Sequence, residues 1–291
     1  MKVKLLITGS SGQLGSEFCA LLAPEYDVVG IGREDADITN YSQISRVINR
    51  HKPNYLIHTA AFTDVDACEQ NSQMAMAVNA TGAKIVALAA QKAGADIIYF
   101  STDYVFDGNK TSAYVESDTP NPISEYGKSK HAGELATIAV GGNWTIIRIG
   151  WIYADHGKNF VKSILSSSKI NKDNLRVVND QFGSPTWTRD IVIQTAQIIE
   201  AKQTGLFHVA AKGEVSRYEF ARIILQRLMP DSKIEPCGTE DFPRPAMRPS
   251  RSTLKSERLD KLGIDTMRPY DVCLTEFLDQ YGEKLLNEIS N

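Results

Sequence analysis

The sequence predicts an α/β protein built on a doubly wound parallel sheet, followed by a second, smaller α/β domain. Three observations predict this class. Strand-like and helix-like segments alternate through residues 1–150, a glycine-rich stretch (Thr8–Gly15) follows the first strand, and the alternation loosens after Ile149. Strand–helix alternation implies right-handed crossovers, which place helices on both faces of a parallel sheet.

The first half contains five short segments rich in Val, Ile and aromatic residues, as expected of strands that are buried on both faces. They are Val3–Ile7, Val28–Gly30, Tyr55–His58, Ile97–Phe100 and Thr145–Ile149. Four helices are predicted between them: Leu14–Leu22, Tyr41–Arg50, Gln73–Ala93 and Tyr126–Ala136.

The second half mixes helices with brief strands. The predicted helices are Asn159–Ser168, Asp190–Ala201, Arg217–Leu228 and Tyr270–Ile289, and the predicted strands are Leu175–Val178 and Leu206–Val209. Four prolines without periodicity predict an ordered loop or lid over Pro236–Pro249. We expect residues 1–150 to form the first domain, with 188–212 packing back onto it, and 151–291 to form the second.

The composition indicates a globular protein and argues against several classes of partner. Charged residues make up 23% of the chain and hydrophobic residues 42%, and a net charge of −3 argues against nucleic-acid binding. No run approaches the roughly 18 apolar residues of a membrane span, so no membrane partner is expected. The four cysteines lack CxxC or metal-ligand spacing, so we expect reduced thiols in a cytoplasmic protein.

The glycine-rich stretch predicts a binding site for a dinucleotide. A strand, a glycine loop and a helix together present backbone N–H groups and a positive helix end to a pyrophosphate. Gly9 allows the tight exit from the strand, Gly12 allows close approach of the ligand, and Gly15 allows the helix to pack near the sheet. The spacing is GxxGxxG instead of GxGxxG, and the alternative is a simple tight turn.

The end of the second predicted strand bears on which cofactor is bound. A carboxylate that binds ribose is expected there, but the chain has Gly32-Arg33. A guanidinium can bind a 2′-phosphate, whereas a carboxylate would repel it, so Arg33 favours NADPH, with NADH as the alternative. Asp37 and Ile38 are predicted at the adenine rim. A solvated Arg33 without a ligand is the other interpretation.

Tyr126 and Lys130 are the predicted proton-transfer pair. Four residues apart, they share a helix face close after the fourth strand, whose end carries Thr102. A free phenol has a pKa of about 10, and we expect the Lys130 ammonium to bring that of Tyr126 near 7. Thr102 would orient a substrate oxygen. The alternative is a surface Tyr–Lys pair.

Several longer runs match a known family. The chain resembles the extended short-chain dehydrogenase/reductases, and among them the dTDP-4-dehydrorhamnose reductase family. The resemblance covers nearly the whole length, and the runs that carry it beside the glycine loop are residues 58–66 (HTAAFTDVD), 78–80 (VNA), 101–108 (STDYVFDG), 126–130 (YGKSK), 148–153 (RIGWIY), 179–186 (NDQFGSPT) and the arginine–proline loop.

The resemblance implies a Rossmann fold and NAD(P)H-dependent reduction of dTDP-4-dehydro-L-rhamnose to dTDP-L-rhamnose, for polysaccharide biosynthesis. Tyr126 would protonate the sugar O4, Lys130 would also hold the nicotinamide ribose, and Thr102 would adjust the proton transfer. The implied cofactor-binding residues are Gly9, Gly12, Gln13, Leu14, Gly15, Arg33, Asp37, Ile38, Ala60, Ala61, Phe62, Thr63, Phe100, Tyr126 and Lys130. The resemblance implies that Thr102, Asp103 and Trp151 contact the deoxysugar nucleotide. It also implies that Arg248, with Arg244, meets the substrate diphosphate; the alternative is that both form ordinary salt bridges in the loop.

The resemblance also implies a homodimer linked by Mg²⁺, but no motif maps the metal-binding glutamates onto this chain, so no metal ligand is assigned. Two alternatives stay open. One is a non-catalytic regulatory subunit similar to the beta subunit of methionine adenosyltransferase, against which the intact Thr102, Tyr126 and Lys130 argue. The other is a nucleotide-sugar epimerase or dehydratase, although a dehydratase normally has an Asp-Glu pair where this chain has Asp103-Tyr104.

Overall fold

The structure is a computed structural model that describes residues 2–171 and 174–290. The first half alternates strands and helices throughout. In chain order these are β1 (Lys4–Thr8), α1 (Gln13–Leu22), β2 (Asp27–Ile31), α2 (Tyr41–His51), β3 (Tyr55–His58), α3 (Val65–Gln70), α4 (Ser72–Met76), a π-helical turn (Ala77–Gly82), α5 (Ala83–Ala93), β4 (Asp96–Thr102), a 3₁₀ turn (Asp103–Val105), α6 (Glu125–Val140) and β5 (Trp144–Ile149).

The second half has longer helices and mostly two-residue or four-residue strands. In chain order these are β6 (Ile152–Tyr153), α7 (Phe160–Ile170), β7 (Leu175–Val178), β8 (Phe182–Gly183), β9 (Thr186–Trp187), α8 (Thr188–Glu200), β10 (Gly205–His208), β11 (Val215–Ser216), α9 (Arg217–Leu228), β12 (Ile234–Cys237), a 3₁₀ turn (Thr239–Asp241), α10 (Glu257–Leu262) and α11 (Tyr270–Ser290).

The central sheet is parallel and has six strands in the order β10-β5-β4-β3-β1-β2. The chain leaves β1 to form β2 on one side and returns to form β3 on the other, so the strand order reverses between β1 and β3. Ligands of doubly wound sheets bind beyond the carboxyl ends of the strands at this reversal. The predicted fold class is confirmed.

Three large clusters of buried side chains hold the molecule together. The first covers one face of the central sheet and includes Phe18 of α1, Ile191 of α8 and Phe207 of β10, so residues from 188 to 208 pack onto the first half of the chain. The second lies among α7, α9 and α11, and its largest members include Trp187 and Phe277. A third cluster fills the other face of the sheet under α2 and α5.

The predicted helix Gln73–Ala93 is interrupted by the π-helical turn. The cause is Asn79, which is buried there and bonds to both backbone groups of Phe62, accepting from N at 2.8 Å and donating to O at 2.9 Å. Its amide also donates to the Ser129 hydroxyl at 2.9 Å. π-Helical turns within α-helices are frequent at functional sites, and this one ties α6 to the loop after β3.

The predicted loop Pro236–Pro249 is wrong at its start. Pro236 lies in β12, which pairs in parallel with β7 in a two-stranded sheet. The strand tolerates proline because it has a partner on one side only. A 3₁₀ turn then covers Thr239–Asp241, and the rest of the segment lacks helix and strand.

Within the described residues, none of the helices combines the length and the apolar character that a transmembrane span requires.

Candidate active site

A large cavity opens at the strand-order reversal, between the carboxyl ends of the central strands and the second half of the chain. Its volume is about 1320 Å³. Ligand pockets commonly measure roughly 300–1,000 Å³, so this one has space for two ligands side by side. The predicted site residues that line it are Gly9, Gly12, Gln13, Leu14, Gly15, Arg33, Asp37, Ile38, Ala60, Ala61, Phe62, Thr63, Phe100, Thr102, Asp103, Tyr126, Lys130 and Trp151.

The glycine loop forms one end of this cavity, and its glycines are required by close contacts. Gly9 has φ +69°, and a Cβ there would lie 2.8 Å from the Ala60 backbone. A Cβ on Gly15 would lie 2.2 Å from the Gly9 carbonyl oxygen. Gly12 precedes α1, and no side chain caps the helix. The first N–H groups of α1 are therefore available to an anion in the cavity.

A loop from the second half rests on the first turn of α1. The Gln13 amide donates to the His156 carbonyl at 2.8 Å, and the Ser16 hydroxyl lies 2.6 Å from His156 Nε2. Gly157 has φ +68°, and a Cβ there would lie 2.6 Å from the Gln13 side chain. The glycine loop is thus in direct contact with both halves of the chain.

Arg33 is exposed at the cavity wall just after β2. Nearby, Asp37 accepts hydrogen bonds from the backbone and hydroxyl of Thr39 at 2.9 and 2.8 Å. These bonds lower the pKa of the Asp37 carboxyl, and the charge of Arg33 contributes in the same direction. The two predicted residues therefore lie at the same end of the cavity, with Arg33 free to meet a phosphate.

Tyr126 lies in the first turn of α6, close to the end of β4. The Ser124 side chain caps this helix by accepting from the Gly127 N–H at 3.2 Å. A Cβ on Gly127 would lie 2.1 Å from the Tyr104 carbonyl oxygen, so glycine lets the helix approach the turn after β4. The rings of Tyr104 and Tyr126 then meet edge to face, with centroids 5.8 Å apart.

Burial raises the pKa of the Tyr126 phenol above its usual 10, while a hydrogen bond with Thr102 opposes this rise. The expectation that Lys130 brings this pKa near 7 is therefore wrong for the protein alone. Lys130 is buried, and its ammonium donates to the Phe100 carbonyl at 2.6 Å and lies 4.3 Å from the centre of the Tyr99 ring. Burial lowers the pKa of Lys130 to about 7, which weakens any effect of its charge on the phenol.

Asp103 and Trp151 lie beside Tyr126 in the same wall. Asp103 is buried, accepts from the hydroxyls of Thr102 at 3.0 Å and Ser252 at 2.5 Å, and has a pKa raised by burial to about 6. Trp151 is partly exposed to the cavity and has φ +48°, which is unusual for a bulky residue. The Arg217 guanidinium lies 3.5 Å from the centre of its ring.

Arg248 and Arg244 are not among the residues that line the cavity, and the substrate contact implied for Arg248 stays a prediction. Arg248 makes two bonds to Asp66, at 2.8 and 2.9 Å, and the same carboxylate accepts from the Ala246 N–H. A bidentate carboxylate pair uses the guanidinium donors that a phosphate would need. Arg248 therefore anchors the proline-rich loop to α3, and Arg244 is exposed on that loop.

Several lining residues were not predicted from the sequence, among them Tyr104, Lys158 and Arg217. Tyr104 belongs to the quoted run 101–108 and could have been included on that basis. Lys158 and Arg217 come from the second half, where no pattern indicates which side chains turn toward the cavity.

Glu17, Asp155 and His156 have potential metal-ligand atoms within 4.8 Å of one another. Both ring nitrogens of His156 are already hydrogen-bonded, Nδ1 to Asp155 at 2.8 Å and Nε2 to Ser16 at 2.6 Å. Lys284 donates to the other Asp155 oxygen at 2.7 Å. Asp155 and His156 therefore belong to a hydrogen-bond network between α1, the 155–158 loop and α11, while Glu17 accepts from the Thr188 hydroxyl at 3.2 Å.

Comparisons with known proteins find relatives that match this chain over nearly its whole length. Residues 3–283 match the family model described as the RmlD substrate binding domain. A dTDP-4-dehydrorhamnose reductase of Burkholderia thailandensis is 36% identical, over 96% of this chain and 100% of that protein.

Two solved structures agree over most of the chain. A dTDP-4-dehydrorhamnose reductase of Clostridium acetobutylicum has a TM-score of 0.92 at 41% identity, covering 96% of this chain and 99% of that one. The enzyme of Bacillus anthracis, solved in complex with NADP, has a TM-score of 0.93 at 36% identity, covering 96% and 100%.

The doubly wound sheet, the glycine loop and the Tyr126–Lys130 helix at one cavity define an extended short-chain dehydrogenase/reductase. Since the family model spans nearly the whole chain and the relatives exceed 30% identity over most of it, the chain belongs to the dTDP-4-dehydrorhamnose reductase family. The resemblance stated from the sequence is confirmed.

Proposed function

We propose that this protein reduces the 4-keto group of a nucleotide-linked 6-deoxyhexulose, converting dTDP-4-dehydro-L-rhamnose to dTDP-L-rhamnose with NADPH. The observation that carries the proposal is the shared cavity. Tyr126, Thr102 and Lys130 line the same space as the glycine loop, so a proton donor and a dinucleotide site face one volume. Family membership supports the choice of substrate.

The residues at one end of the cavity fit a dinucleotide. The contacts of Gly9 and Gly15 leave no space for side chains, and the uncapped N-terminus of α1 offers N–H donors to a pyrophosphate. Arg33 would bind the 2′-phosphate, and Asp37 with Ile38 would border the adenine. Bound NADPH supplies the hydride that reduces the carbonyl.

Tyr126 is the proposed proton donor to the sugar O4. A donor must carry its proton at neutral pH, and the raised pKa of this buried phenol meets that requirement. Thr102 lines the cavity together with Tyr126 and would hold the carbonyl oxygen in line with the phenol. Lys130 would hold the nicotinamide ribose and, as charge develops on the phenolate, stabilise it.

We infer that the two clusters of buried side chains that contain Phe207 and Phe277 belong to parts of the chain with different roles. We infer that residues 1–150, together with 188–212, form the cofactor-binding half, and that the remainder of 151–291 forms the substrate half. Asp103 and Trp151 would contact the deoxysugar at the junction.

The test is spectrophotometric. Purified protein is mixed with NADPH and a panel of nucleotide 4-ketosugars that includes dTDP-4-dehydro-L-rhamnose, and absorbance at the nicotinamide band is followed. We expect one NADPH oxidised per ketosugar consumed, and less efficient use of NADH. Sugar isomerisation without net NADPH oxidation would indicate an epimerase instead. No turnover of any ketosugar, with stoichiometric recovery of a synthetase in a pull-down, would indicate a regulatory subunit.

A further inference from the structure

We propose that Arg217 binds the diphosphate of the nucleotide-sugar substrate. Arg217 is the first residue of α9, and its side chain lines the cavity together with Tyr104, Asp103 and Trp151. This inference rests on the proposed function, because it assigns to that reaction the group that recognises the anionic part of its substrate.

Arg217 differs from the arginines around it in having no carboxylate partner. Arg222, Arg248 and Arg251 pair with Glu219, Asp66 and Glu214 respectively. Among the ion pairs of residues 2–171 and 174–290, none includes Arg217. A half-buried cation without a carboxylate in direct contact favours an anion in the adjoining space.

Asp103 is the carboxylate whose charge acts on Arg217, but it is engaged elsewhere. One of its oxygens accepts from the Thr102 hydroxyl and the other from Ser252. Asp103 therefore leaves the donors of the guanidinium available to a ligand.

The guanidinium is held in a fixed orientation by aromatic contacts. Its carbon lies 3.5 Å from the centre of the Trp151 ring and 4.9 Å from that of Phe160. Such stacking leaves the in-plane N–H donors exposed at the edge, where a phosphate can accept two of them. The arginine is thus positioned before a ligand arrives, which lowers the entropic cost of binding.

The position of Arg217 distinguishes the substrate phosphates from those of the cofactor. The cofactor phosphates have their own proposed donors, the N-terminus of α1 and Arg33, which belong to the first half of the chain. The contacts of Arg217 lie at the end of β4 and in the second half, beside the residues proposed to hold the sugar. In a nucleotide sugar, the anionic group that adjoins the sugar is the diphosphate attached to its C1.

The experiment compares R217Q with a matched control, R222Q. Arg222 lies on the same helix, pairs with Glu219 and does not line the cavity. Affinities for dTDP, thymidine and NADP⁺ are measured by calorimetry on each purified variant. We expect R217Q to bind dTDP about 10- to 100-fold more weakly, which is the effect of losing a charge-assisted pair of hydrogen bonds, with thymidine and NADP⁺ within twofold of the original protein. R222Q should change none of the three.

Turnover gives a second readout. In the NADPH-oxidation assay, we expect R217Q to raise KM for the ketosugar by the same factor with kcat within about threefold, the signature of an interaction made equally in the ground and transition states. R217K keeps the charge but not the planar fork, and we expect an intermediate loss of dTDP affinity. If R217Q fails to fold, as shown by a lost cooperative unfolding transition together with lost binding of all three ligands, R217K supplies the comparison.

The results separate this inference from the proposed function. Unchanged dTDP affinity in R217Q, or an equal loss of affinity for thymidine, would overturn the role of Arg217 even if reduction proceeds. A loss confined to NADP⁺ would assign the arginine to the cofactor and overturn it as well. If the original protein reduces no ketosugar, but its affinity for dTDP depends on Arg217, the proposed reaction fails while the diphosphate site stands.

Discussion

Tyr126 shows how burial alone can suit a side chain to one direction of a reaction. Tyr126 is half-buried at the cavity wall, and the partial loss of water around its phenol favours the neutral form, so the proton is retained at neutral pH. That property serves a group that gives a proton to a sugar oxygen. The sequence correctly indicated the pair Tyr126 and Lys130 near one another, but helix spacing could not show that the lysine ammonium bonds to the Phe100 carbonyl.

Replacing the phenol tests the acid directly. We expect Tyr126→Phe to lower kcat about 100-fold or more, because the proton donor is lost, while NADPH affinity stays within twofold. Tyr41→Phe serves as the control, since Tyr41 lies on α2 outside the cavity lining. Stopped-flow kinetics and NADPH fluorescence titration give the two measurements. Full turnover in Tyr126→Phe would remove this residue from the mechanism.

Arg33 is predicted to discriminate between the two nicotinamide cofactors. Arg33→Ala should weaken NADPH binding about 10-fold or more and leave NADH affinity within twofold, because only NADPH carries the 2′-phosphate. Arg50→Ala, at the exposed end of α2, is the control and should alter neither affinity. Equal weakening of both cofactors would show that Arg33 does not meet that phosphate.

Lys130 should make stability depend on pH. Its folded-state pKa of about 7 is below the value of about 10.4 expected in the unfolded chain, so the unfolded state binds more protons between those values. The stability of the original protein should therefore rise as pH increases from about 7 toward 10, relative to Lys130→Met. Urea unfolding of both proteins across this range measures the difference. Parallel curves would mean that Lys130 stays charged when buried.

At the scale of elements, α6 depends on a buried ion pair for its position. Arg148 of β5 donates to both oxygens of Glu134 at 2.9 and 2.8 Å, and both side chains are only 3% exposed. The sequence shows this glutamate on the helix that carries Tyr126 and Lys130. It does not show that β5 supplies the partner, because the pairing of β4 with β5 is set by tertiary packing.

Removing one charge of this pair should be costly. Glu134→Gln should lower the free energy of unfolding by about 3–5 kcal/mol, because Arg148 would remain buried without its counter-charge. Glu125→Gln on the same helix breaks an exposed pair with Lys128 and should cost at most about 1 kcal/mol. Chemical denaturation measures both values. A similar, small loss in each variant would contradict the role given to the buried pair.

Element prediction succeeded where local signals were strong and failed where distant contacts decide the backbone. The bounds of β3, β7 and α9 agree with the sequence pattern. The π-helical turn could not be predicted, because it depends on Asn79 bonding to Phe62 and Ser129. In the same way, β12 contains a proline that argues against a strand, and it forms because β7 offers an edge.

At the scale of the whole molecule, the chain crosses between the first and the second half more than once. The chain leaves the first half after β5, returns to it with α8 and β10, and leaves again. Leu259 and Met267 then pack into the first core near the end of the sequence. The sequence could bring the proposed cofactor-binding residues to one cavity because all of them lie between Gly9 and Lys130, where strands and helices alternate regularly. The position of Arg217 could not be predicted, because this residue reaches the cavity only after the chain has returned to the first half with α8 and β10.

This connectivity predicts a single cooperative unfolding transition. Two variants each keep one tryptophan, Trp144 at the start of β5 or Trp187 in the second core, with the others changed to phenylalanine. Because neither half is completed by a continuous stretch of chain, denaturation of each variant followed by its tryptophan fluorescence and by far-UV circular dichroism should give coincident midpoints within that variant. Midpoints that differ between the two probes would show that the halves unfold separately.

The pairing of β10 with β5 determines how short a fragment of this protein can be and still keep the central sheet complete. A fragment that stops at residue 150 would keep the glycine loop and Tyr126, but the N–H and C=O groups along β5 that pair with β10 would be left bare. An exposed edge strand with unpaired backbone groups can pair with other chains and cause aggregation. We therefore expect that a fragment must extend through His208, the end of β10, to bind a dinucleotide without aggregating, although the glycine loop itself ends at Gly15.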